Sequence, residues 1–106
     1  MAERTPQTVT GLGLDAAAYA ASGGGDSVPT DCIVRAINDG GSPVTMTVTT
    51  HGVVDTDLAI EDRAISIPAG EARYFKATGA VYRNPATGRV DLTWSGTTDV
   101  TFEVIK

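Results

Sequence analysis

The chain has 106 residues, of which 42% are hydrophobic and 20% charged, and this composition fits one globular domain and excludes an intrinsically disordered chain. Its formal net charge of −5 and its singly scattered arginines exclude the cationic cluster that a nucleic-acid backbone requires. No apolar run approaches the roughly 20 residues of a membrane span. The first six residues lack the pattern of a signal peptide, so we expect the protein to be made in a cytoplasm.

Residues 1–30 are predicted to form an N-terminal arm and a Gly/Ala-rich loop. The segment 7–10 fits a short strand. Asp15 stands where it would cap a helical turn over residues 16–20, but five or six residues do not hold a helix without packing. A single short strand needs an open sheet edge to complete its hydrogen bonds, so we expect residues 1–14 to extend and contact other subunits. The candidate contacts with other subunits are Thr5, Gln7, Thr8, Val9, Thr10, Leu12 and Leu14.

Residues 31–106 are predicted to form a β-sandwich body. The clearest strand covers residues 44–50, where apolar and hydroxyl side chains alternate with a period of two. This alternation places Val44, Met46 and Val48 on one face and the threonines on the other. The chain contains 15 Thr, 11 Val and 6 Ile against 4 Leu, and β-branched residues favour strands over helices.

The remaining elements follow at short, regular intervals. Predicted strands cover residues 32–38, 44–50, 64–67, 72–76, 81–83, 89–95 and 100–105. The turn-rich segment 38–43 predicts a hairpin between the first two, and residues 52–62 are predicted to be a polar excursion. Counting residues 7–10, seven or eight short strands indicate an all-β, antiparallel β-sandwich, either jelly-roll-like or immunoglobulin-like.

The sequence offers few side chains suited to catalysis or metal binding. The acidic residues of the polar excursion are Asp55, Asp57, Glu61 and Asp62, and their spacing matches no calcium loop. His51 is the single histidine, and its one soft companion, Cys32, falls in another predicted strand, so we interpret His51 as structural or superficial. Cys32 is interpreted as a small buried hydrophobe that has no disulfide partner. We therefore predict no catalytic residues, no metal site and no cofactor.

Two side-chain patterns have a second interpretation. Trp94 and Phe102 fall at inward positions of neighbouring strands, which predicts a shared core; the alternative is an aromatic platform for sugars. The stripe of Thr45, Thr47 and Thr49 is interpreted as a solvated sheet face, and the alternative is a flat surface that packs against a neighbour.

Four segments resemble one family of viral proteins. They are Thr5-Pro-Gln-Thr-Val-Thr-Gly-Leu-Gly-Leu-Asp15, Arg35-Ala-Ile-Asn-Asp-Gly-Gly-Ser-Pro-Val-Thr-Met-Thr-Val-Thr49, Ile65-Ser-Ile-Pro-Ala-Gly-Glu-Ala-Arg-Tyr-Phe75 and Val90-Asp-Leu-Thr-Trp-Ser-Gly-Thr-Thr-Asp-Val100. These strand-and-turn patterns are similar to small proteins encoded beside the major capsid protein in tailed phages of actinobacteria, which are taken to be head decoration (capsid cement) proteins. Residues 76–79 depart from the Gly-Pro that the family has at this point.

The resemblance implies a structural virion protein that is not an enzyme. Such a protein is assembled in the host cytoplasm, binds the major capsid protein on the capsid exterior and stabilises the shell. The implied assembly is a homo-oligomer, with a trimer as one option. The alternative function is a carbohydrate-binding or adhesin module of a phage tail or fibre, which an exposed aromatic platform would favour.

Overall fold

A computed structural model describes residues 2–7, 18–51, 53–54, 58–59, 62–76 and 82–105 of the chain. All regular structure in these ranges is β-strand. None of the described residues belongs to a helix of the length and hydropathy that crossing a membrane would require. The all-β class predicted from the alternating pattern is therefore confirmed.

Eleven strands are present in the described ranges. They are β1 (Ala2–Glu3), β2 (Tyr19–Ala20), β3 (Asp26–Pro29), β4 (Ile33–Asn38), β5 (Val44–Val48), β6 (Val53–Val54), β7 (Leu58–Ala59), β8 (Arg63–Ile67), β9 (Ala72–Lys76), β10 (Arg89–Trp94) and β11 (Val100–Ile105). A five-stranded sheet has the order β1-β3-β10-β5-β8, and a four-stranded sheet has the order β2-β11-β4-β9. All pairs in the two sheets are antiparallel except β1 with β3, and β6 pairs with β7 alone.

The core lies between the inner faces of the two sheets. Alternation predicted these faces correctly: Val44, Met46 and Val48 of β5 are buried, while the threonines between them are partly exposed. The same period holds in β4 and β11, where every second residue is buried. The buried apolar cluster consists of Val28, Cys32, Val34, Ala36, Met46, Val48, Ile67, Val90, Leu92, Phe102 and Val104.

Trp94 and Phe102 meet in this core, with ring centroids 5.3 Å apart. Phe102 is fully buried, and Trp94 is partly buried against the cluster. The predicted contact is thus correct, but the prediction that the two residues lie on neighbouring strands is wrong. Trp94 belongs to the five-stranded sheet and Phe102 to the four-stranded one, so the rings pack across the sandwich.

The predicted hairpin over residues 38–43 is also wrong. β4 lies in the four-stranded sheet and β5 in the five-stranded sheet, so this connection crosses between the sheets. Asn38 holds the crossing in place, because its buried amide donates to the carbonyl oxygens of Ser42 and Ile67 and accepts from Gly40 N. A turn-rich segment predicts that the chain reverses, but it does not say in which sheet the next strand pairs.

Five short strands lie where the sequence indicated none: β1, β2, β3, β6 and β7. β3 falls in the segment predicted as arm and loop, yet Val28 is fully buried and the strand pairs with β10. β6 and β7 pair within the predicted polar excursion. Three short strands of residues 1–30 (β1, β2 and β3) pair with strands of the two sheets.

We predict that Phe102→Ala lowers the free energy of unfolding by about 3–5 kcal/mol, because it removes a fully buried ring from between the sheets. Denaturant unfolding followed by tryptophan fluorescence measures this change. The control is Tyr74→Ala, whose ring is 67% exposed and whose loss should cost less than about 0.5 kcal/mol. Equal costs for the two variants would contradict the assignment of the core.

Candidate functional site

The N-terminal segment, residues 2–7, runs along one edge of the sandwich and contacts both sheets. Ala2 and Glu3 pair in parallel with β3, and Arg4 N donates to the carbonyl oxygen of Ser27 at 2.9 Å. Further along, Gln7 pairs with Ile105, and its N–H donates to the carbonyl oxygen of Val104 at 2.8 Å. The segment therefore begins on the five-stranded sheet and ends on the four-stranded sheet.

A buried carboxylate anchors this segment. Asp26 is fully buried and accepts hydrogen bonds from Arg4 Nε at 2.8 Å, Trp94 Nε1 at 2.9 Å and Ser22 N at 2.9 Å. A buried ionised group is tolerated when its lone pairs are satisfied and an opposite charge lies beside it. Arg4 supplies that charge, with 22% of its side chain exposed.

Arg4 has further partners beyond the carboxylate. Its guanidinium carbon lies 4.9 Å from the ring centroid of Tyr19 and 5.7 Å from that of Phe102, and Nη2 donates to the carbonyl oxygen of Ala20. Cation–π contact with aromatic rings stabilises a partly desolvated guanidinium. One arginine thus connects the N-terminal segment, β2 and the aromatic core.

Arg89 fixes the same segment from the other side. Its Nη2 donates to the carbonyl oxygens of Arg4 at 2.6 Å and Ser27 at 2.9 Å, and its Nε donates to Ser27 Oγ at 3.0 Å. The "N-terminal anchor", as we call Arg4, Asp26, Arg89 and Trp94 together, was missed by sequence reasoning. No local pattern reveals it, because its members are separated by up to 90 residues along the chain.

Two of the predicted contact residues fall within this arrangement. Thr5 is exposed and its carbonyl oxygen accepts from Tyr19 Oη at 2.9 Å, while Gln7 is partly buried beside β11. The structure therefore places both at the edge where the segment passes between the sheets. The other predicted contacts lie outside the described residues: Thr8, Val9, Thr10, Leu12 and Leu14.

A second polar cluster lies on the outer face of the five-stranded sheet. His51 Nε2 is 3.1 Å from Asp91 Oδ2, and Asn84 Nδ2 donates to the same oxygen at 3.0 Å. Asp91 is buried, and these two hydrogen-bonding partners shield its carboxylate from solvent. His51 therefore has a hydrogen-bonding partner that the sequence did not indicate, because the two residues are 40 positions apart.

Of the four residues in the predicted acidic cluster, only Asp62 lies within the described residues. Asp62 is exposed and accepts from Thr50 N at 2.9 Å and Thr50 Oγ1 at 3.2 Å. Asp55, Asp57 and Glu61 lie outside the described residues. Among the residues that are described, no group of three or more His, Cys, Asp or Glu side chains is arranged to hold a metal ion.

The outer face of the four-stranded sheet is apolar around one ion pair. Arg35 and Glu103 are paired in register at its centre, with Nη1 3.4 Å from Oε1. Three isoleucines and a tyrosine surround them, of which Tyr74 is 67% and Ile33 37% exposed. We call this surface the isoleucine face; it comprises Ile33, Arg35, Ile37, Tyr74, Glu103 and Ile105.

The six aromatic residues of the chain are all described, and they do not form an external platform. Phe102 is fully buried, and Tyr19, Phe75, Tyr82 and Trp94 are partly buried against the core. Tyr74 is the remaining ring and stands exposed on the isoleucine face. A sugar-binding surface of stacked aromatic rings is therefore not assembled from these side chains.

Comparisons with known proteins give no relative for this chain: no protein-family model, no curated protein and no solved structure matches it.

We predict that Arg4→Met lowers the free energy of unfolding by about 3 kcal/mol, because it leaves the Asp26 carboxylate buried without a counter-charge. The double variant Arg4→Met/Asp26→Asn should lose less than the sum of the two single variants, since no buried charge remains. Chemical denaturation of all three variants gives both values.

The matched control for this experiment is Arg73→Met. Arg73 pairs with Glu71 at 3.0 Å, but solvent reaches this pair, since the two side chains are 40% and 53% exposed. We expect its loss to cost less than about 0.5 kcal/mol. Additive single-variant costs at Arg4 and Asp26 would show that the buried pair does not couple the segment to the body.

We also predict that folding does not depend on a divalent metal, as the spacing of the acidic residues near Asp62 indicates. The melting temperature should be the same in excess EDTA and in excess calcium. A lower melting temperature in EDTA, with recovery on adding calcium, would contradict this prediction.

Proposed function

We propose that this chain is a structural virion protein, a head decoration protein that binds the outer surface of a phage capsid and stabilises the shell. The observation that carries the proposal is the N-terminal anchor, which fixes residues 2–7 to both sheets of the sandwich. The similarity of four segments to phage head decoration proteins supports it.

The anchor matters for binding because it fixes the point from which the following residues extend. Ordering a free chain costs roughly 1–2 kcal/mol per residue, and each residue already held by the body removes that cost from the binding step. Residues 2–7 are held by main-chain pairing and by the Asp26 carboxylate. The predicted contacts after Gln7 therefore start from a fixed position beside β11.

A body that cements a capsid must resist deformation as the shell is loaded. At one edge of this sandwich the N-terminal anchor connects the two sheets, and at the other edge residues 68–71 join β8 to β9. Gly70 adopts a φ of +75° in that connection, and its N–H donates to the carbonyl oxygen of Asn38 at 2.8 Å. Both edges thus contain short, hydrogen-bonded links between the sheets.

The partner is the major capsid protein, contacted on the capsid exterior by a homo-oligomer of this chain. Residues 8–14 would add to an exposed sheet edge of a neighbouring subunit, where main-chain hydrogen bonds supply affinity with little demand on sequence. A net charge of −5 is compatible with an outer position, since the packaged genome is itself negatively charged.

The N-terminal anchor determines how the arm is best tested. Deleting the first twelve residues would also remove Arg4 from Asp26 and destabilise the body, so loss of binding would have two explanations. We therefore predict the effect of a variant that retains residues 1–7 and replaces Thr8, Val9, Thr10, Leu12 and Leu14 by serine. Its melting temperature should be unchanged, and its affinity for capsids should fall by about tenfold or more.

Cosedimentation with capsids assembled from the major capsid protein of the same phage measures this affinity. The matched control carries Thr45→Ser and Thr47→Ser on the outer face of the five-stranded sheet, and it should bind as the wild type does. Equal capsid binding by the serine variant would show that the arm makes no contact. Absence of capsid binding by the wild type, together with binding to a polysaccharide, would instead favour the carbohydrate-binding alternative.

A further inference from the structure

The outward side chains of the isoleucine face form a regular arrangement, and the proposed function does not use this arrangement. Antiparallel pairing places its six residues, together with the neighbouring outward side chains Lys76, Thr101 and Ala72, in three rows across β11, β4 and β9. One row contains Ile105, Ile33 and Lys76. The next row contains Glu103, Arg35 and Tyr74, and the last contains Thr101, Ile37 and Ala72.

This order is self-complementary under a two-fold rotation. Consider an axis that runs parallel to the strands, midway between β4 and β11, in the plane where two such faces meet. The rotation places β11 of one copy over β4 of the other and keeps every residue in its own row. Arg35 then faces Glu103 of the second copy, and Ile33 faces Ile105 of the second copy.

In this arrangement Arg35 and Glu103 each acquire a second partner of opposite charge. Within one chain the Arg35–Glu103 contact is a single long one, 3.4 Å, and the arginine side chain is 34% exposed. In the pair, two arginines and two glutamates alternate at the centre, so each charge has opposite charges on two sides. Such a pattern fixes register and excludes other alignments, because a shift by one strand brings like charges together.

We propose that the isoleucine face binds the same face of a second copy of this chain, forming a two-fold dimer of face-to-face sheets. Stacked sheets of this kind pack about 10 Å apart with their strands within about 30° of one another. Ile33, Ile37 and Ile105 supply the apolar contact, and Arg35 and Glu103 set the register.

The size of the face makes the association weak. Three strands spaced about 4.8 Å apart, with a rise of about 3.3 Å per residue, give a face of roughly 14 by 17 Å. This is well below the roughly 800 Å² per partner of a standard specific interface. The dimer should therefore form in a concentration-dependent way, between about 10 µM and 1 mM, and be favoured where copies are held close together.

The test uses sedimentation equilibrium of the full-length chain and two charge-reversal variants. The wild type should shift from the 10.9 kDa of one chain towards twice that mass as its concentration rises. Arg35→Glu alone puts four carboxylates at the centre, and Glu103→Arg alone puts four guanidinium groups there, so each variant should remain monomeric. An equimolar mixture of the two should dimerise again, because each face then meets its opposite.

The mixture separates an interface from a folding defect, since mixing cannot repair a chain that fails to fold. Ser66→Glu is the matched control: it adds a charge on the outer face of the five-stranded sheet and should dimerise as the wild type does. A monomer at all concentrations, a trimer, or a dimer that both reversals leave intact would each overturn the proposal. Suppose that the wild type is monomeric at every concentration and that Arg35→Glu abolishes capsid binding. The isoleucine face then binds the capsid protein and not a second copy.

Discussion

The buried carboxylate of Asp26 is the constraint on which the rest of the structure depends. It sits inside the sandwich without solvent contact, and it is stable there because a guanidinium, an indole N–H and a main-chain N–H all point at it. These donors come from three distant parts of the chain, at Arg4, Ser22 and Trp94. Satisfying one charge therefore brings the N-terminal segment, the loop before β3 and the end of β10 to the same place.

The aromatic core is joined to this network. The ring of Phe102 packs against Trp94 on one side and Tyr19 on another, and the guanidinium of Arg4 lies near both Phe102 and Tyr19. Apolar packing and charge pairing are thus coupled at one edge of the sandwich, where each restricts the position of the other. This coupling helps to hold a short segment, whose main-chain pairing is limited to Ala2, Glu3 and Gln7, against both sheets.

The two sheets present different surfaces to a partner. The five-stranded sheet shows hydroxyl side chains, with Thr45 and Thr47 beside the shielded Asp91–His51 contact. The four-stranded sheet shows the isoleucine face. Strand alternation requires apolar residues on the inner face of each sheet and leaves the outer face open. The two outer faces therefore differ because the outward positions hold threonines in one sheet and isoleucines in the other.

The sequence by itself determined the six longest strands, β4, β5, β8, β9, β10 and β11, and which of their residues share a face. Alternation with a period of two is a local property, and burial of one face makes it visible in the sequence. Val44, Met46 and Val48 were assigned correctly for this reason. Only the tertiary structure decided which sheet each strand joins. The turn after Asn38 reverses the chain, but its sequence does not specify the strands with which β5 pairs. The tertiary structure also decided the N-terminal anchor and the isoleucine face, because both depend on which strands pair across long sequence separations, and short-range patterns do not indicate the pairing partner.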